Sequence, residues 1–281
     1  MKAFLFPGQA SQDVGMGQDL YQRFPEAKAL FDQADAILGF ALTELCFSGP
    51  MEELSKTSVT QPAVYVHSVV AARLLAARGH SPDVVAGHSL GEYSALTAAG
   101  VLDFAEGLAL VRERGRLMQE AGRERPGAMA AILGLEDDVV VRLCEEAGPV
   151  VVPANFNSPG QVVISGETEA VQRACEAATV AGASKVVPLP VSGAFHSPLM
   201  APVAEALAGR LEETTFATPA VPVVANVTAA PETDPQALRR LLVEQVTAPV
   251  RWAESVLALA GMGVDQAIET GPGAVLRGLG R

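Results

Sequence analysis

A short apolar run, Asp83-Val84-Val85-Ala86, leads directly into Gly87-His88-Ser89-Leu90-Gly91 and then into a helix-forming stretch. A buried strand, a G-x-S-x-G turn and a helix together make the nucleophile-elbow pattern. The chain reverses so sharply in such a turn that a Cβ on either flank would clash, hence the two glycines. The Ser89 hydroxyl is pushed out toward a base and a substrate, and N–H groups at the helix start can hold an oxyanion. The plainer alternative is a strand-to-helix turn with a capping serine. The flanking strand and helix and a second histidine downstream favour the nucleophile.

Length and composition remove whole classes of function. A chain of 281 residues can bury a large core as one large or two modest domains. No apolar stretch approaches the roughly 18 residues a membrane span needs, so no membrane association is expected. The N-terminal residues read as a strand and turn and not as a signal peptide. Cys46, Cys144 and Cys175 form no C-x-x-C pair, and the four histidines form no H-x-x-x-H pair. Zinc and a disulfide scaffold are therefore not expected, and a reducing cytoplasm is. A net charge of −12 argues against nucleic acid as a partner.

Periodicity divides the chain into three stretches. The first predicts a strand over 2–6, a polar loop over 7–12, and helices over 25–38, 41–47 and from 60 or 62 to 78. A strand over 83–86 and a helix over 90–99 then flank the elbow. A further helix, capped by Asp103 with Glu106 three residues on, runs to about Ala121. The polar breaker 122–127 then reads as a domain boundary. The second stretch predicts strand 128–133, helix 136–147, strands 150–154 and 161–165, helix 167–181 and strand 184–187. That order, βαββαβ, is the ferredoxin-like unit. The third resumes the first pattern, with a helix over 198–212, a strand over 221–225, helices over 235–245 and 250–260, and a strand over 264–269. The expected fold is α/β: an α/β-hydrolase-like core with a parallel sheet over 1–125 and 190–281, and an inserted ferredoxin-like subdomain over 126–189.

A serine nucleophile needs a base. His88 adjoins Ser89 but points elsewhere on an elbow and reads as a packed turn residue; His67 and His80 read as structural or surface. His196, in Ser192-Gly193-Ala194-Phe195-His196-Ser197-Pro198, lies in a loop just before a helix, where catalytic groups collect in α/β proteins. The alternative is a helix-terminal residue without a role. No acid completes a triad. The aspartates between Ser89 and His196 are Asp103, Asp137 and Asp138, one committed to capping and two at a helix start. Either a backbone carbonyl orients His196 or an acid elsewhere does. One arginine stands out. On a helical wheel centred on Val111, Phe104, Leu108, Gly115 and Met118 lie within about 60° of the axis, and Arg114 falls at about −60°, inside the apolar arc. A buried guanidinium wants an anion: a structural ion pair, a snorkelling stem, or a bidentate clamp for a substrate carboxylate.

Six separated segments now occur in a familiar order: Phe6-Pro7-Gly8-Gln9-Ala10-Ser11-Gln12, Gly87-His88-Ser89-Leu90-Gly91-Glu92, Arg114-Gly115, Asn155-Phe156-Asn157-Ser158-Pro159-Gly160-Gln161, Phe195-His196 and Glu269-Thr270-Gly271-Pro272-Gly273. Together they closely resemble the malonyl-CoA:acyl-carrier-protein transacylases of type II fatty-acid synthesis, over essentially the whole chain. The resemblance implies ping-pong transfer of malonyl from coenzyme A through Ser89 to the phosphopantetheine thiol of an acyl carrier protein. Coenzyme A thioester is then a substrate, and no cofactor is bound. His196 would be the base, oriented by the backbone carbonyl matching Gln245. Backbone N–H groups of Gln9 and Leu90 would form the oxyanion hole, and Arg114 would clamp the malonyl carboxylate. Phe195 would crowd the α-carbon and disfavour methylmalonyl. Because the Gln245 contact is through the main chain, Gln245→Ala is expected to cost less than His196→Ala. The expected enzyme is a cytoplasmic monomer. One departure is Ala10, where the family usually has glycine. Three competing readings are a serine hydrolase such as a thioesterase, the same transfer serving polyketide assembly, and a non-catalytic carrier-binding module. Arg114, the inserted unit and the missing acid weigh against the first, and the intact serine, histidine and arginine against the last.

Overall fold

Strands buried on both faces read as continuous apolar runs, and two such runs form the centre of the larger sheet. In the computed structural model β1 (Lys2–Phe6) and β2 (Val84–Gly87) pair in parallel, with Phe4 opposite Val85 and Phe6 opposite Gly87. The structure describes residues 1–148, 150–191 and 193–280; Pro149, Arg281 and Ser192, which opens the His196 loop quoted above, lie outside the described residues.

Between β1 and β2 run α1 (Gln18–Arg23), α2 (Pro25–Leu38), α3 (Leu42–Ser48), α4 (Met51–Leu54) and α5 (Thr57–Ala77). After β2 come α6 (Gly91–Ala98) and α7 (Phe104–Glu124). The middle stretch is β3 (Gly127–Leu133), α8 (Asp137–Ala147), β4 (Val151–Ser158), β5 (Gln161–Glu167), α9 (Thr168–Val180) and β6 (Lys185–Pro188). A 3-10 turn at Pro198–Met200 leads into α10 (Ala201–Glu213). Then follow β7 (Val223–Val224), β8 (Pro231–Glu232), α11 (Pro235–Gln245), α12 (Trp252–Gly261), β9 (Gln266–Glu269) and α13 (Val275–Leu279).

The larger sheet has the order β8-β7-β2-β1-β9, parallel except for the edge strand β8. Helices cover both faces. One face carries the main core, in which Phe4, Phe6 and Val85 pack with Leu42, Tyr65, Leu96, Leu108 and Val111. The other holds Ala3, Val84, Ala86 and Val224 against Trp252, Leu259 and Leu276. The smaller sheet is antiparallel in the order β4-β5-β3-β6. Its side chains alternate with period two. Ala130, Ile132, Val162 and Ile164 pack under α8 and α9 with Val140, Cys144, Ala170 and Ala174. Met129, Ala131 and Val163 face the other way, toward the larger sheet. Among the described residues no helix is long and apolar enough to cross a membrane.

The two sheets are stitched beside β4. Val250 N–H donates to Ala154 O (2.8 Å), and Phe156 N–H donates to Val250 O (2.9 Å). This bridge pulls Val250 out of the helix expected there, which starts instead at Trp252. Helix α5 starts at Thr57, ahead of the expected 60 or 62, with Pro62 inside it. Burial of Thr57, Thr60 and Gln61 and the bond from Ser58 N–H to Gln119 Oε1 (3.1 Å) hold the early turn against the proline. The strand expected over 221–225 shrinks to two residues. The α1, α4, β8 and α13 elements, one or two turns or a bridge long, leave no periodic trace.

Sterics at the elbow bear out the reading of its glycines. A Cβ on Gly87 would lie 2.0 Å from Gly91 C, and one on Gly91 would lie 2.0 Å from Phe6 O. Both obstacles are backbone and cannot rotate away. Gly91→Ala should therefore cost about 3 kcal/mol or more of unfolding free energy, read from urea denaturation at constant slope; wild-type stability in that variant would contradict the packing of the elbow against β1.

Candidate active site

Ser89 sits at the tip of the elbow with φ +52°, in left-handed backbone that a serine adopts only under constraint. The constraint is a set of buried amides. Ser89 N–H donates to Asn226 Oδ1 (2.7 Å), and Asn226 Nδ2 donates to Gly87 O (2.6 Å). Gln245 Nε2 donates to Ser89 O (3.0 Å) and to Glu92 Oε2 (2.8 Å). Asn226 N–H donates to the same Glu92 oxygen (3.1 Å). Asn226 comes just after β7 and Gln245 ends α11, so distant parts of the chain converge on one turn.

The hydroxyl that this turn presents has two partners. Ser89 Oγ lies 2.7 Å from His196 Nε2 and accepts from Arg114 NH2 at 3.1 Å. His196 is itself in left-handed backbone, φ +55°, and Ser197 Oγ steadies its loop by donating to Ala194 O (2.6 Å). The other ring nitrogen, Nδ1, lies 2.9 Å from Gln245 O and 3.2 Å from Ala248 O. Carbonyls at a helix C-terminus lack intrahelical partners and carry partial negative charge, so they suit an N–H donor. With Nδ1 donating, Nε2 is left as the acceptor facing Ser89. No carboxylate touches the ring among the described residues; the contacts of Nδ1 are these two backbone carbonyls.

Arg114 is buried in α7, as the wheel placed it. NH1 donates to Gln61 Oε1 (2.8 Å), NH2 also donates to Gln245 Oε1 (3.1 Å), and the guanidinium carbon stands 5.5 Å from the Tyr93 ring centre. Nε is buried without a partner, and no ion pair to Arg114 forms among the described residues. Electrostatics follow from this. Burial, then the nearby Arg114 charge, pull the His196 imidazole down to about 3, so it is neutral at ordinary pH. Burial pushes the Glu92 carboxyl up to about 7, against the bonds from Gln245 and Asn226.

These groups open into a cleft of about 240 Å³ between the two sheets, at the carboxyl ends of β1 and β2, where ligands bind in parallel α/β sheets. Gln9, Leu90 and Phe195 line it, with Met118, Met129, Val163, Leu189 and Leu276. Among the described residues the N–H groups of Gln9 and Leu90 have no hydrogen-bond partner, so both are free to donate. Ala10, also lining the cleft, has φ +77°, so the position that usually carries glycine does demand left-handed backbone. His88 is a packed residue: Nε2 lies 2.8 Å from Asn157 Oδ1, and its ring leans on Trp252. The Glu269-to-Gly273 motif acts from behind. Thr270 N–H donates to Leu5 O (2.7 Å), Gly271 abuts Pro7, and the Glu269 carboxylate caps the start of α13 through Leu276 N–H (2.9 Å) and Arg277 N–H (2.8 Å).

Residues 3–279 match the acyl transferase domain family. The chain belongs to that family. It is 51% identical over 280 residues to the malonyl CoA-acyl carrier protein transacylase of Escherichia coli strain K12, covering 99% of this chain and 91% of that protein. With the Bacillus subtilis protein of the same name it shares 46%, over 99% and 88%. Among solved structures, a type II PKS acyl-carrier protein in complex with its malonyl-transacylase superposes with TM-score 0.96 at 49% identity, covering 99% of this chain and 91% of that one. The acyl carrier protein S-malonyltransferase of Vibrio cholerae does so with TM-score 0.96 at 48%, over 99% and 92%. The family resemblance read from six segments thus extends along the whole acyltransferase.

Gln61, Asn226, Glu92 and the side chain of Gln245 were not singled out by role in the sequence. Gln245 touches the site through both its carbonyl and its amide, so Gln245→Ala would also strip a bond from Arg114 and one from Ser89 O.

The shifted groups make stability depend on pH in opposite directions. Between about 6.5 and 3 an unfolded His196 takes up a proton that the folded one refuses, so its contribution falls as pH drops. From 4.5 to about 7 the folded Glu92 keeps a proton that the unfolded one loses, so its contribution is lost as pH rises. Thermal unfolding of Glu92→Gln should accordingly show a gain over wild type that is larger at pH 8 than at pH 4.5; a gain independent of pH would mean that Glu92 titrates normally.

Proposed function

We propose that this acyltransferase moves malonyl from coenzyme A to the phosphopantetheine thiol of an acyl carrier protein through a malonyl-Ser89 intermediate, supplying fatty-acid synthesis. The observation that carries the reading is Ser89 Oγ, set between His196 Nε2 at 2.7 Å and Arg114 NH2 at 3.1 Å. His196 Nε2 takes the hydroxyl proton as Oγ attacks the thioester carbonyl carbon. The oxyanion formed is held by Gln9 and Leu90 N–H. As the tetrahedral species collapses, the C–S bond breaks, and the leaving sulfur takes the proton from His196. The second half runs in reverse: the carrier thiol gives its proton to His196, attacks the acyl-serine ester, and restores Ser89.

Arg114 holds the malonyl carboxylate as the charge-assisted partner its burial lacks. Filling that place with an anion also relieves the positive field on His196, making the imidazole a better base once the correct acyl group is seated. Phe195 narrows the space beside the acyl α-carbon. In this reading the larger sheet is the α/β-hydrolase-like core over 1–125 and 190–281. The βαββαβ unit over 126–189 is a ferredoxin-like insertion roofing the cleft; its order β4-β5-β3-β6 supports that assignment. The enzyme works as a cytoplasmic monomer with no bound cofactor. A second reading, transfer to a polyketide carrier, is favoured by the solved relative paired with such a carrier. Competition between the two kinds of carrier distinguishes them.

Incubation with malonyl-CoA followed by acid quench and peptide mass spectrometry should find malonyl on Ser89, and Ser89→Ala should fold and carry none. Stable acylation of that variant at wild-type rate would refute the assignment. Competitive transfer from malonyl-, methylmalonyl- and acetyl-CoA reads selectivity. Losing a buried charge-assisted pair costs roughly 2–5 kcal/mol, so Arg114→Ala should depress malonyl transfer by orders of magnitude and collapse its advantage over acetyl. Phe195→Ser should admit methylmalonyl. An unchanged malonyl-to-acetyl ratio in Arg114→Ala would return Arg114 to a purely structural role.

A further inference from the structure

Arg114 is a fully buried cation without a carboxylate partner among the described residues, yet a carboxylate stands one residue away. Gln245 lies between them, its Oε1 accepting from Arg114 NH2 at 3.1 Å and its Nε2 donating to Glu92 Oε2 at 2.8 Å. A primary amide has two ends of nearly equal size and opposite hydrogen-bonding character. Turned over, Gln245 would set an NH2 against the Arg114 NH2, donor facing donor. What prevents this is the company of Nε2: Glu92 Oε2, Ser89 O at 3.0 Å and Asn226 Oδ1 at 3.5 Å are all acceptors. Glu92 makes the shortest of the three contacts and is the only one of them that can carry a formal negative charge. It is fixed in turn by Asn226 N–H at 3.1 Å and by its place in the first turn of α6, where the helix dipole favours an anion.

We propose that Glu92 is a positioning residue for acyl selectivity, which locks the Gln245 amide so that its oxygen faces Arg114 and holds the guanidinium in register with the acyl site. The proposal rests on the carboxylate-clamp reading of Arg114 given above. The spacing has a chemical reason. A carboxylate bonded directly to the guanidinium would occupy the donors a substrate carboxylate needs. An amide oxygen holds the group in place at lower cost to remove, and leaves Arg114 with unspent charge. The acidic residue and its place are set by the elbow: three positions after Ser89, on the helix that begins there.

The readout is the ratio of kcat/KM for malonyl-CoA to that for acetyl-CoA, because the fraction of folded enzyme cancels in it. Misplacing a binding group by about 1 Å can cost on the order of 10²-fold, so Glu92→Ala should lower the ratio roughly tenfold to a hundredfold. Glu92→Gln, which can present an amide oxygen to Gln245 Nε2, should keep it within about threefold of wild type. Glu92→Asp withdraws the acceptor by one methylene, keeps the carboxyl group and should lower the ratio like Glu92→Ala; it serves alone if the alanine variant is insoluble. Gln245→Leu should reproduce the loss, and the double variant Glu92→Ala/Gln245→Leu should add little to it. A ratio unchanged in soluble Glu92→Ala or Glu92→Asp overturns the proposal, as does full additivity in the double variant. Wild type and Arg114→Ala run alongside. If Arg114→Ala collapses the ratio and the Glu92 variants do not, the clamp stands and the relay falls. If wild type shows no malonyl preference, the clamp falls and the relay with it.

Discussion

A serine in left-handed backbone is the constraint around which this molecule is arranged. Such a conformation costs of order 1–3 kcal/mol and survives only where its surroundings over-determine it. Here the surroundings are Asn226, Gln245 and Glu92, whose buried hydrogen bonds grip the backbone on both sides of Ser89. The glycines at 87 and 91 follow from the same requirement, since the elbow packs within a bond's reach of β1. So does the topology. A turn beside β1 can be held by residues from β7 and α11 only if β7 lies next to β2 in the sheet and α11 ends above it.

The electrostatics of the site are those of an unfinished circuit. A cation is buried with one nitrogen unpartnered, a histidine is kept neutral by burial and by that cation, and a carboxyl nearby is raised to about 7. None of these would be favourable in isolation. Together they set a buried positive charge beside an uncharged imidazole. That no acid stands beside His196 among the described residues belongs to the same logic. A carboxylate at Nδ1 would be a second anion near Arg114, whereas the carbonyl of a helix end that lies there carries no full charge.

The sequence disclosed those features that have a period or a short fixed spacing. The α/β alternation, the βαββαβ order, the elbow and the apolar stripe exposing Arg114 all belong to that kind, and most elements were placed within a few residues. The residues that were missed have no such signature. Gln61, Asn226 and the Gln245 amide are ordinary amides far apart in the chain, and only tertiary folding brings them to Ser89. Glu92 stood inside a quoted motif without a role, because its role runs through a neighbour that sequence could not supply. The short elements failed for the converse reason: β7 and β8 are two residues each and exist by pairing, and Val250 leaves its helix because Ala154 and Phe156 claim its backbone.

The smaller sheet turns one strand toward two tasks. Along β3, Ala130 and Ile132 hold the unit together beneath α8 and α9, while Met129 and Ala131 form the wall of the cleft. Neighbouring codons therefore answer to different pressures. A change at 129 or 131 acts on the cleft wall and on the main core behind it, and a change at 130 or 132 acts on the packing under α8 and α9. One strand thus serves two packed interiors, the cleft wall on one side and the helices of the smaller unit on the other. The elbow, where stability and chemistry share the same atoms, has no comparable division.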